Sequence, residues 1–154
     1  MANPLRVFVS YSRKDDSHRQ DLETHLALLK RQNVIASWSD RQIEAGAEWH
    51  EEISRQLETA NIILLLISAD FIDSDFIWGE ELKRALERHE AGEARVIPII
   101  VRPCDWHGAP FAKLQVLPKD ALPITKWTNV DDAWTDVVGG IRRAANQLSD
   151  SPKA

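Results

Sequence analysis

Polar side chains follow two segments of the sequence in which apolar residues dominate, and two adjacent carboxylates come later in the chain. Ser10, Tyr11 and Ser12 come after Leu5–Val9, Ser68 comes directly after a continuous apolar run, and the carboxylates Glu80 and Glu81 come further along. Hydroxyls can hold a polar ligand, and a carboxylate can move a proton or stabilise positive charge. These residues are the first candidates for a site.

Several common kinds of site leave no motif in this sequence. No Gly-x-Gly-x-x-Gly follows the first apolar segment, and neither a Walker phosphate loop nor a Gly-x-Ser-x-Gly elbow is present. The five histidines lack the spacing of metal ligands. We therefore expect no metal and no tightly bound dinucleotide cofactor.

A phospho-acceptor site of the receiver type is also disfavoured. Such a site needs an aspartate at the end of the third strand, but Ser68 stands there and Asp70 comes two residues later. Asp15 and Asp16 are predicted to be the acidic first residues of a helix.

Length, charge and cysteine content narrow the class of protein. The chain has 154 residues, the size of one domain, and we expect a domain at 1–148 followed by a linker or disordered tail at 149–154. The net charge of -5 argues against binding to nucleic acid or to an anionic membrane. The lone Cys104 indicates a reducing, cytoplasmic location, and no segment is apolar enough to span a membrane.

Strand and helix patterns alternate along the chain. Four helices are predicted between or after the strands, the third of them capped by Ser74 or Asp75. The five predicted strands are Leu5–Ser10, Val34–Trp38, Asn61–Ile67, Arg95–Val101 and the weaker Ala121–Trp127. This order predicts a flavodoxin-like, doubly wound α/β fold, a parallel five-stranded sheet in the order 2-1-3-4-5 with helices on both faces.

The predicted sheet indicates where a ligand would bind. In such sheets ligands bind beyond the carboxyl ends of the strands, beside the first strand. This rule selects residues 10–16, 38–49 and 68–81. Pro98 cannot donate a ladder hydrogen bond, so its strand is expected at or near an edge, or with a bulge at Pro98.

Five segments, in order, resemble the TIR (Toll/interleukin-1 receptor/resistance) family, especially its bacterial members. The match covers about residues 5–147, nearly the whole chain. The segments are Val7-Phe-Val-Ser-Tyr-Ser-Arg-Lys-Asp15, Trp38-Ser-Asp-Arg-Gln-Ile-Glu-Ala-Gly-Ala-Glu-Trp49 (the BB loop), Ile53…Leu57…Ala60 leading into Leu65-Leu-Ile-Ser68, Ser74-Asp-Phe-Ile-Trp-Gly-Glu-Glu-Leu82, and Val96-Ile-Pro-Ile-Ile100 followed by Arg102-Pro-Cys-Asp-Trp106.

The resemblance implies one of two functions. Some TIR domains hydrolyse or cyclise NAD⁺ at the bond between nicotinamide and ribose, and others are non-catalytic scaffolds that bind further TIR domains. The family's catalytic glutamate precedes an apolar residue, which selects Glu81 before Leu82. Many members carry a tryptophan four residues before that glutamate, whereas Trp78 is three before Glu81, so Glu80 is the alternative register.

The chemistry that the resemblance implies needs one carboxylate, because nicotinamide is already an activated leaving group. Glu81 would hold the ribose and stabilise its developing positive charge. The other residues implied in substrate binding are Ser10, Tyr11, Ser12, Trp38, Asp40, Arg41, Glu44, Ser68 and Trp78. Structural roles compete for several of them: an exposed helix carboxylate for Glu81, a turn cap for Ser12, and core packing for Trp38.

The resemblance also implies partners. NAD⁺ is expected as substrate, with no separate cofactor, and other TIR domains are expected to bind through the BB loop to form an oligomer or filament on activation. TIR domains are usually joined to a sensor domain in a longer parent chain, with a role in signalling or antiviral defence. Whether the product would be linear or cyclic is left open.

Overall fold

A computed structural model of the chain describes residues 4–39, 49–73 and 79–150. The side chains of Trp38, Ser39, Trp49, His50 and Asp150 lie outside this description. Strands and helices alternate within the described ranges, as the sequence patterns predict. The strands are β1 (Leu5–Ser10), β2 (Ile35–Ser39), β3 (Ile62–Ile67) and β4 (Arg95–Ile100). The helices are α1 (Asp16–His25), α2 (Ala27–Arg31), α3 (Trp49–Thr59), α4 (Ala69–Asp73), α5 (Glu80–Glu90) and α6 (Val130–Asp150).

The described strands form one parallel sheet in the order β2-β1-β3-β4. In register, Val7 of β1 pairs with Ile62 of β3, and Ile62 pairs in turn with Arg95 of β4. Every residue of β3 is buried. A continuous apolar run is typical of a parallel strand covered on both faces, so the prediction of a central third strand is confirmed.

Alternate residues of β3 contribute to two separate hydrophobic cores. Ile62, Leu64 and Leu66 pack with residues of α1, α2 and α6 on one face of the sheet. Ile63, Leu65 and Ile67 pack with residues of α3 and α5 on the other face. This alternation follows the two-residue period of a strand and confirms the doubly wound α/β architecture.

The predicted fifth strand at Ala121–Trp127 is wrong. Residues Ile124–Lys126 form a 3₁₀ turn, as do Lys119–Ala121. Pro118 and Pro123 lie on either side of the turn at Lys119–Ala121, and a proline has no N–H that could donate a hydrogen bond to a neighbouring strand. Among the described residues that follow β4, Leu117 pairs with this strand through an isolated parallel bridge to Ile99.

Pro98 lies on the outer side of β4, as the sequence predicts for an edge strand. The carbonyl oxygen of Pro98 accepts a hydrogen bond from the Leu117 amide at 2.9 Å. Since the N–H and C=O of one residue in a parallel strand point to the same side, the missing N–H of Pro98 faces away from β3. The ladder between β3 and β4 is therefore unaffected.

The helix that ends the described chain is α6, and it buries the predicted apolar stripe. Trp134, Val137 and Ile141 are fully buried against the sheet, and Leu148 is partly buried. The helix continues through Ser149 to Asp150, two residues past the predicted end of the domain. Within the described ranges, no helix is long and apolar enough to cross a membrane.

Candidate functional site

The three residues that end β1 have different surroundings. Ser10 is buried at the carboxyl end of the strand. The ring of Tyr11 packs against the core, with the guanidinium of Arg19 5.6 Å from its centroid. The Ser12 hydroxyl accepts a hydrogen bond from the Lys14 amide at 3.3 Å and so caps the turn at Arg13–Asp15. Ser12 thus has the capping role that the sequence offers as one alternative.

Asp15 is the N-cap residue of α1, at the helix start that the sequence predicts, and its side chain is buried at this edge of the sheet. Its side chain is 0% exposed and accepts a hydrogen bond from Arg102 Nε at 2.8 Å. The Ser68 hydroxyl donates to its other oxygen at 2.5 Å. A buried carboxylate needs such partners, because an unpaired charge is costly to remove from water.

Arg102 extends this network from the end of β4 to α4. Its Nη2 donates to Asp70 at 2.6 Å, and Lys14 lies 3.5 Å from the same carboxylate. The hydrogen bond from Arg102, aided by the charge of Lys14, lowers the pKa of Asp70. Hydrogen bonds to Asp15 and Asp70 raise the pKa of Arg102. The ends of β1, β3 and β4 are therefore joined by one set of charge-assisted hydrogen bonds.

The Ser68 hydroxyl is engaged within the protein on both sides. It donates to Asp15 and accepts a hydrogen bond from the Phe71 amide at 3.1 Å, which fixes the first turn of α4. Its side chain is 0% exposed. In this structure Ser68 connects the end of β3 to the buried ion pair.

Cys104 lies close to the same network, two residues beyond Arg102. Its side chain is partly buried, and this burial raises the pKa of the thiol. A protonated thiol is a weak nucleophile and a weak metal ligand. Among the described residues, no cluster of histidine, cysteine and carboxylate side chains could hold a metal ion.

Glu80 and Glu81 occupy the first turn of α5, whose N-cap residue is Gly79. Glu81 is half-buried, whereas Glu80 is exposed. Adjacent residues of a helix point about 100° apart, which accounts for this difference. Because α5 follows the carboxyl end of β3, its first turn lies toward the end of the sheet where ligands bind in this fold.

A cavity of about 280 Å³ lies between α3 and α5, and both glutamates line it. Ser54 and Glu58 line it from α3, together with Arg84 from α5. Arg84 binds Glu58 through two hydrogen bonds, of 2.6 and 2.9 Å. The bond from Arg84 lowers the pKa of Glu58, and Glu58 in turn raises the pKa of Arg84. One wall of the cavity is thus formed by the ion pair of Arg84 and Glu58, and the Glu81 carboxylate lies beside this pair.

The structure groups the predicted site residues only in part. Ser10, Ser12 and Ser68 lie at the carboxyl ends of β1 and β3, and Ser12 and Ser68 each bond to Asp15. Of the residues that the structure describes, only those of α3 and α5 line the cavity beside Glu81. Four predicted site residues lie outside the described residues, namely Asp40, Arg41, Glu44 and Trp78. The side chain of Trp38 also lies outside the description.

The ion pair between the buried Asp15 and the partly exposed Arg102 is the feature that the sequence does not reveal by local spacing. The two residues are 87 positions apart, so no local spacing relates them. A signal did exist: Arg102 follows the predicted fourth strand, just as Asp15 follows the first, and parallel strands end at a common edge.

Comparison with known proteins identifies the class that this fold and site define. A family model described as TIR domain matches residues 7–136, most of the chain. The protein therefore belongs to the TIR domain family.

One curated relative is an uncharacterized protein, y4lF, from Sinorhizobium fredii (strain NBRC 101917 / NGR234). It is 50% identical over 148 residues, which are 96% of this chain and 46% of the relative. The chain thus spans about half of that protein's length.

Two solved structures show the same fold. The TIR domain of the Toll-related receptor TRR-2 from Hydra magnipapillata has a TM-score of 0.59 at 22% identity, over 88% of this chain and 97% of that one. The TIR domains of the activated Roq1 resistosome, which directly recognizes the pathogen effector XopQ, have a TM-score of 0.53 at 21% identity, over 96% of this chain and 85% of that one.

Proposed function

We propose that this TIR domain breaks the bond between nicotinamide and ribose in NAD⁺, by hydrolysis or cyclisation, with Glu81 as its catalytic carboxylate. One observation carries the assignment to Glu81. Its side chain is half-buried beside a cavity of about 280 Å³ at the start of α5, whereas Glu80 is exposed. A carboxylate that is partly removed from water interacts more strongly with a developing charge.

The reaction needs little besides this carboxylate. Nicotinamide leaves with the bonding electron pair and becomes neutral, while positive charge develops on the ribose. Glu81 accepts hydrogen bonds from the ribose hydroxyls and stabilises that charge. Water, or a nucleophile within the same molecule in a cyclisation, then forms the new bond to the ribose carbon. Glu58 does not share this role, because Arg84 already binds it.

Residues at the strand ends hold the remainder of the substrate in this proposal. Ser10, Tyr11 and Ser12 lie at the end of β1, and we assign contacts with ribose or phosphate to their backbone N–H groups and to the hydroxyl of Ser12. We assign substrate contacts also to Trp38, Trp78 and the loop residues Asp40, Arg41 and Glu44. Ser68 acts through Asp15, since both sides of its hydroxyl are engaged.

Self-association through the BB loop is the second part of the proposal. TIR domains occur in the resistosome of Roq1, an assembly, which supports association as a general property of the fold. The relative of about twice the length is consistent with a further domain that senses a signal, for cytoplasmic signalling or defence.

A direct assay tests the proposal. Purified protein at high concentration is incubated with NAD⁺, and released nicotinamide is quantified by chromatography, while light scattering records assembly in the same samples. We expect nicotinamide release that depends on Glu81. Assembly without any loss of NAD⁺ would refute the catalytic assignment.

A non-catalytic assembly module is the second candidate function. It is favoured by the internal engagement of Ser12 and Ser68, whose hydroxyls bind the protein's own groups. On this account the cavity between α3 and α5 binds no substrate, and Glu81→Gln leaves every property of the assembly unchanged.

A further inference from the structure

A second cavity, of about 360 Å³, lies beside the edge strand β4, between the last turn of α5 and the helix α6. It adjoins the first residues of β4, whereas Glu81 lies at the start of α5. The eight residues from Glu81 to His89 correspond to about 12 Å along a helix. The two cavities are therefore separate, and the argument for the second one does not depend on the proposed function.

Two positively charged side chains and one imidazole line this second cavity. Arg95 lines it from β4, Arg143 from α6, and His89 from the end of α5. Of the described residues that line it, none is an aspartate or a glutamate. In a chain with a net charge of -5, such a local reversal of sign indicates an anionic ligand.

His89 presents a fixed hydrogen-bond donor. Its Nδ1 accepts a hydrogen bond from the Val96 amide at 3.0 Å, so this nitrogen carries no hydrogen and Nε2 carries it in the neutral ring. Burial of the ring, together with the charge of Arg95, lowers the pKa of His89 and keeps it neutral. The N–H of Nε2 is then a donor whose tautomer the fold itself determines.

Both guanidinium groups can still bind an anion. Arg95 uses Nη1 to reach Gln147 at 2.8 Å, which fixes its position and occupies one of its five N–H groups. Arg143 is exposed and has no ion pair with any residue in the described ranges. The neighbouring carboxylate of Glu90 is neutralised by Lys113 at 2.5 Å.

Apolar side chains form the remainder of the cavity wall. Val96 and Ile97 of β4 line one side, and Leu114, Leu117 and Ala144 line the others. A volume of this size lies within the range of small-molecule pockets, which combine apolar walls with a few polar groups that orient the ligand.

We propose that this cavity binds a small organic anion with an apolar body, whose phosphate or sulfonate group contacts Arg95, Arg143 and His89. The body of the ligand lies against Leu117 and Ala144. Guanidinium groups bind such anions through paired, charge-assisted hydrogen bonds. Because the cavity is distant from Glu81, a bound anion does not compete for the carboxylate at the start of α5.

The test uses 1-naphthyl phosphate as probe and amide chemical shifts of the full chain as readout. We expect saturable chemical-shift changes at Val96, Gly140 and Ala144. The changes should be much weaker with 1-naphthol, which lacks the phosphate, and with inorganic phosphate, which lacks the apolar body. R143Q and R95Q each weaken binding by about tenfold or more, since each removes a hydrogen bond to a charged group. R142Q is the matched control, because Arg142 bonds instead to Gln32 at 3.0 Å and should leave binding unchanged.

Three results would overturn the proposal. The first is an absence of saturable shifts, and the second is equal binding of the probe by R143Q, R95Q and the unsubstituted protein. The third is that the unsubstituted protein does not bind the probe while R143Q changes the oligomeric state. That result would indicate that the cavity binds an acidic segment of a second copy of the chain. Unchanged amide dispersion in R143Q establishes that the variant is folded.

Discussion

Asp15 and Asp16 are neighbours in the chain, yet their carboxylates have opposite surroundings. Asp16 is partly exposed and binds Arg19 and Gln20 within its own helix, as expected of an acidic residue in a first turn. Asp15 is fully buried and binds Arg102 and Ser68. Local pattern predicts the role of Asp16, but the role of Asp15 depends on residues that only the folded sheet brings near.

Asp15→Asn tests the contribution of this pair to stability. The substitution leaves Arg102 without its buried counter-charge, and we expect the free energy of unfolding to fall by about 2–3 kcal/mol, less than for a fully buried pair because Arg102 is one-third exposed. Urea denaturation measures the change. Arg55→Gln is the control, since Arg55 is 65% exposed in its pair with Glu52 and such a pair within one helix is worth about 0.5 kcal/mol. Equal losses in both variants would contradict the account.

At the scale of elements, the periodicity of apolar residues correctly predicts the central strand and the helices that cover the sheet, but it wrongly predicts a fifth strand. The run Ile62–Ile67 is apolar throughout and proves to be central, and the stripe of Trp134, Val137 and Ile141 proves to be the buried face of α6. Residues 121–127 also look apolar, but Pro118 precedes them, Pro123 lies within them, and Asp120 and Ala121 have positive φ. Short apolar segments with prolines do not distinguish a strand from a turn.

Two adjacent glycines of α6 provide a matched test of packing. A methyl group at Gly139 would meet only the Arg143 side chain at 3.6 Å, so Gly139→Ala should stabilise the helix by about 0.5–1 kcal/mol. A methyl group at Gly140 would lie 2.7 Å from Leu117, which must move. We expect Gly140→Ala to be less stable than Gly139→Ala by about 1 kcal/mol or more in urea denaturation. Equal stabilisation by both substitutions would show that the Leu117 side chain can move aside without a loss of stability.

His89, at the end of α5, should make the stability of the protein depend on pH. Burial, and then the charge of Arg95, lowers the pKa of His89 in the folded state. Between that value and about 6.5, the ordinary pKa in an unfolded chain, the unfolded state binds more protons, so stability falls as the pH falls through this window. Protonation also removes the acceptor that Nδ1 offers to the Val96 amide.

His89→Gln should reduce this dependence, because glutamine does not titrate. Urea midpoints measured at pH 7.5 and 5.5 give the comparison, and we expect a smaller difference in the variant than in the unsubstituted protein. His107→Gln, at an exposed position, should retain the full difference. An unchanged difference in His89→Gln would rule out this role for the ring.

At the scale of the whole molecule, the doubly wound plan follows from the alternation of strands and helices, and the family follows from five motifs in order. The plan predicts that Ser10 and Ser68 lie at the same edge of the sheet, because parallel strands end together. It does not predict which hydroxyl is engaged internally, since the bonds of Ser68 to Asp15 and Phe71 depend on side-chain geometry.

The proposed self-association predicts that activity depends on protein concentration. If neighbouring copies complete each other's site, nicotinamide release per molecule should rise as the protein is concentrated or crowded. A dilution series with a constant NAD⁺ concentration measures this, with the oligomeric state followed by light scattering. Constant release per molecule across the series would indicate that each copy acts alone.

The central claim is the assignment of Glu81, and a comparison of two adjacent isosteric variants tests it most directly. Glu81→Gln and Glu80→Gln each remove one negative charge from the first turn of α5, so their effects on the helix are alike. We predict that Glu81→Gln lowers nicotinamide release from NAD⁺ by about a hundredfold or more, while Glu80→Gln retains most of it. Full activity in Glu81→Gln, or loss of activity in Glu80→Gln alone, would contradict the assignment.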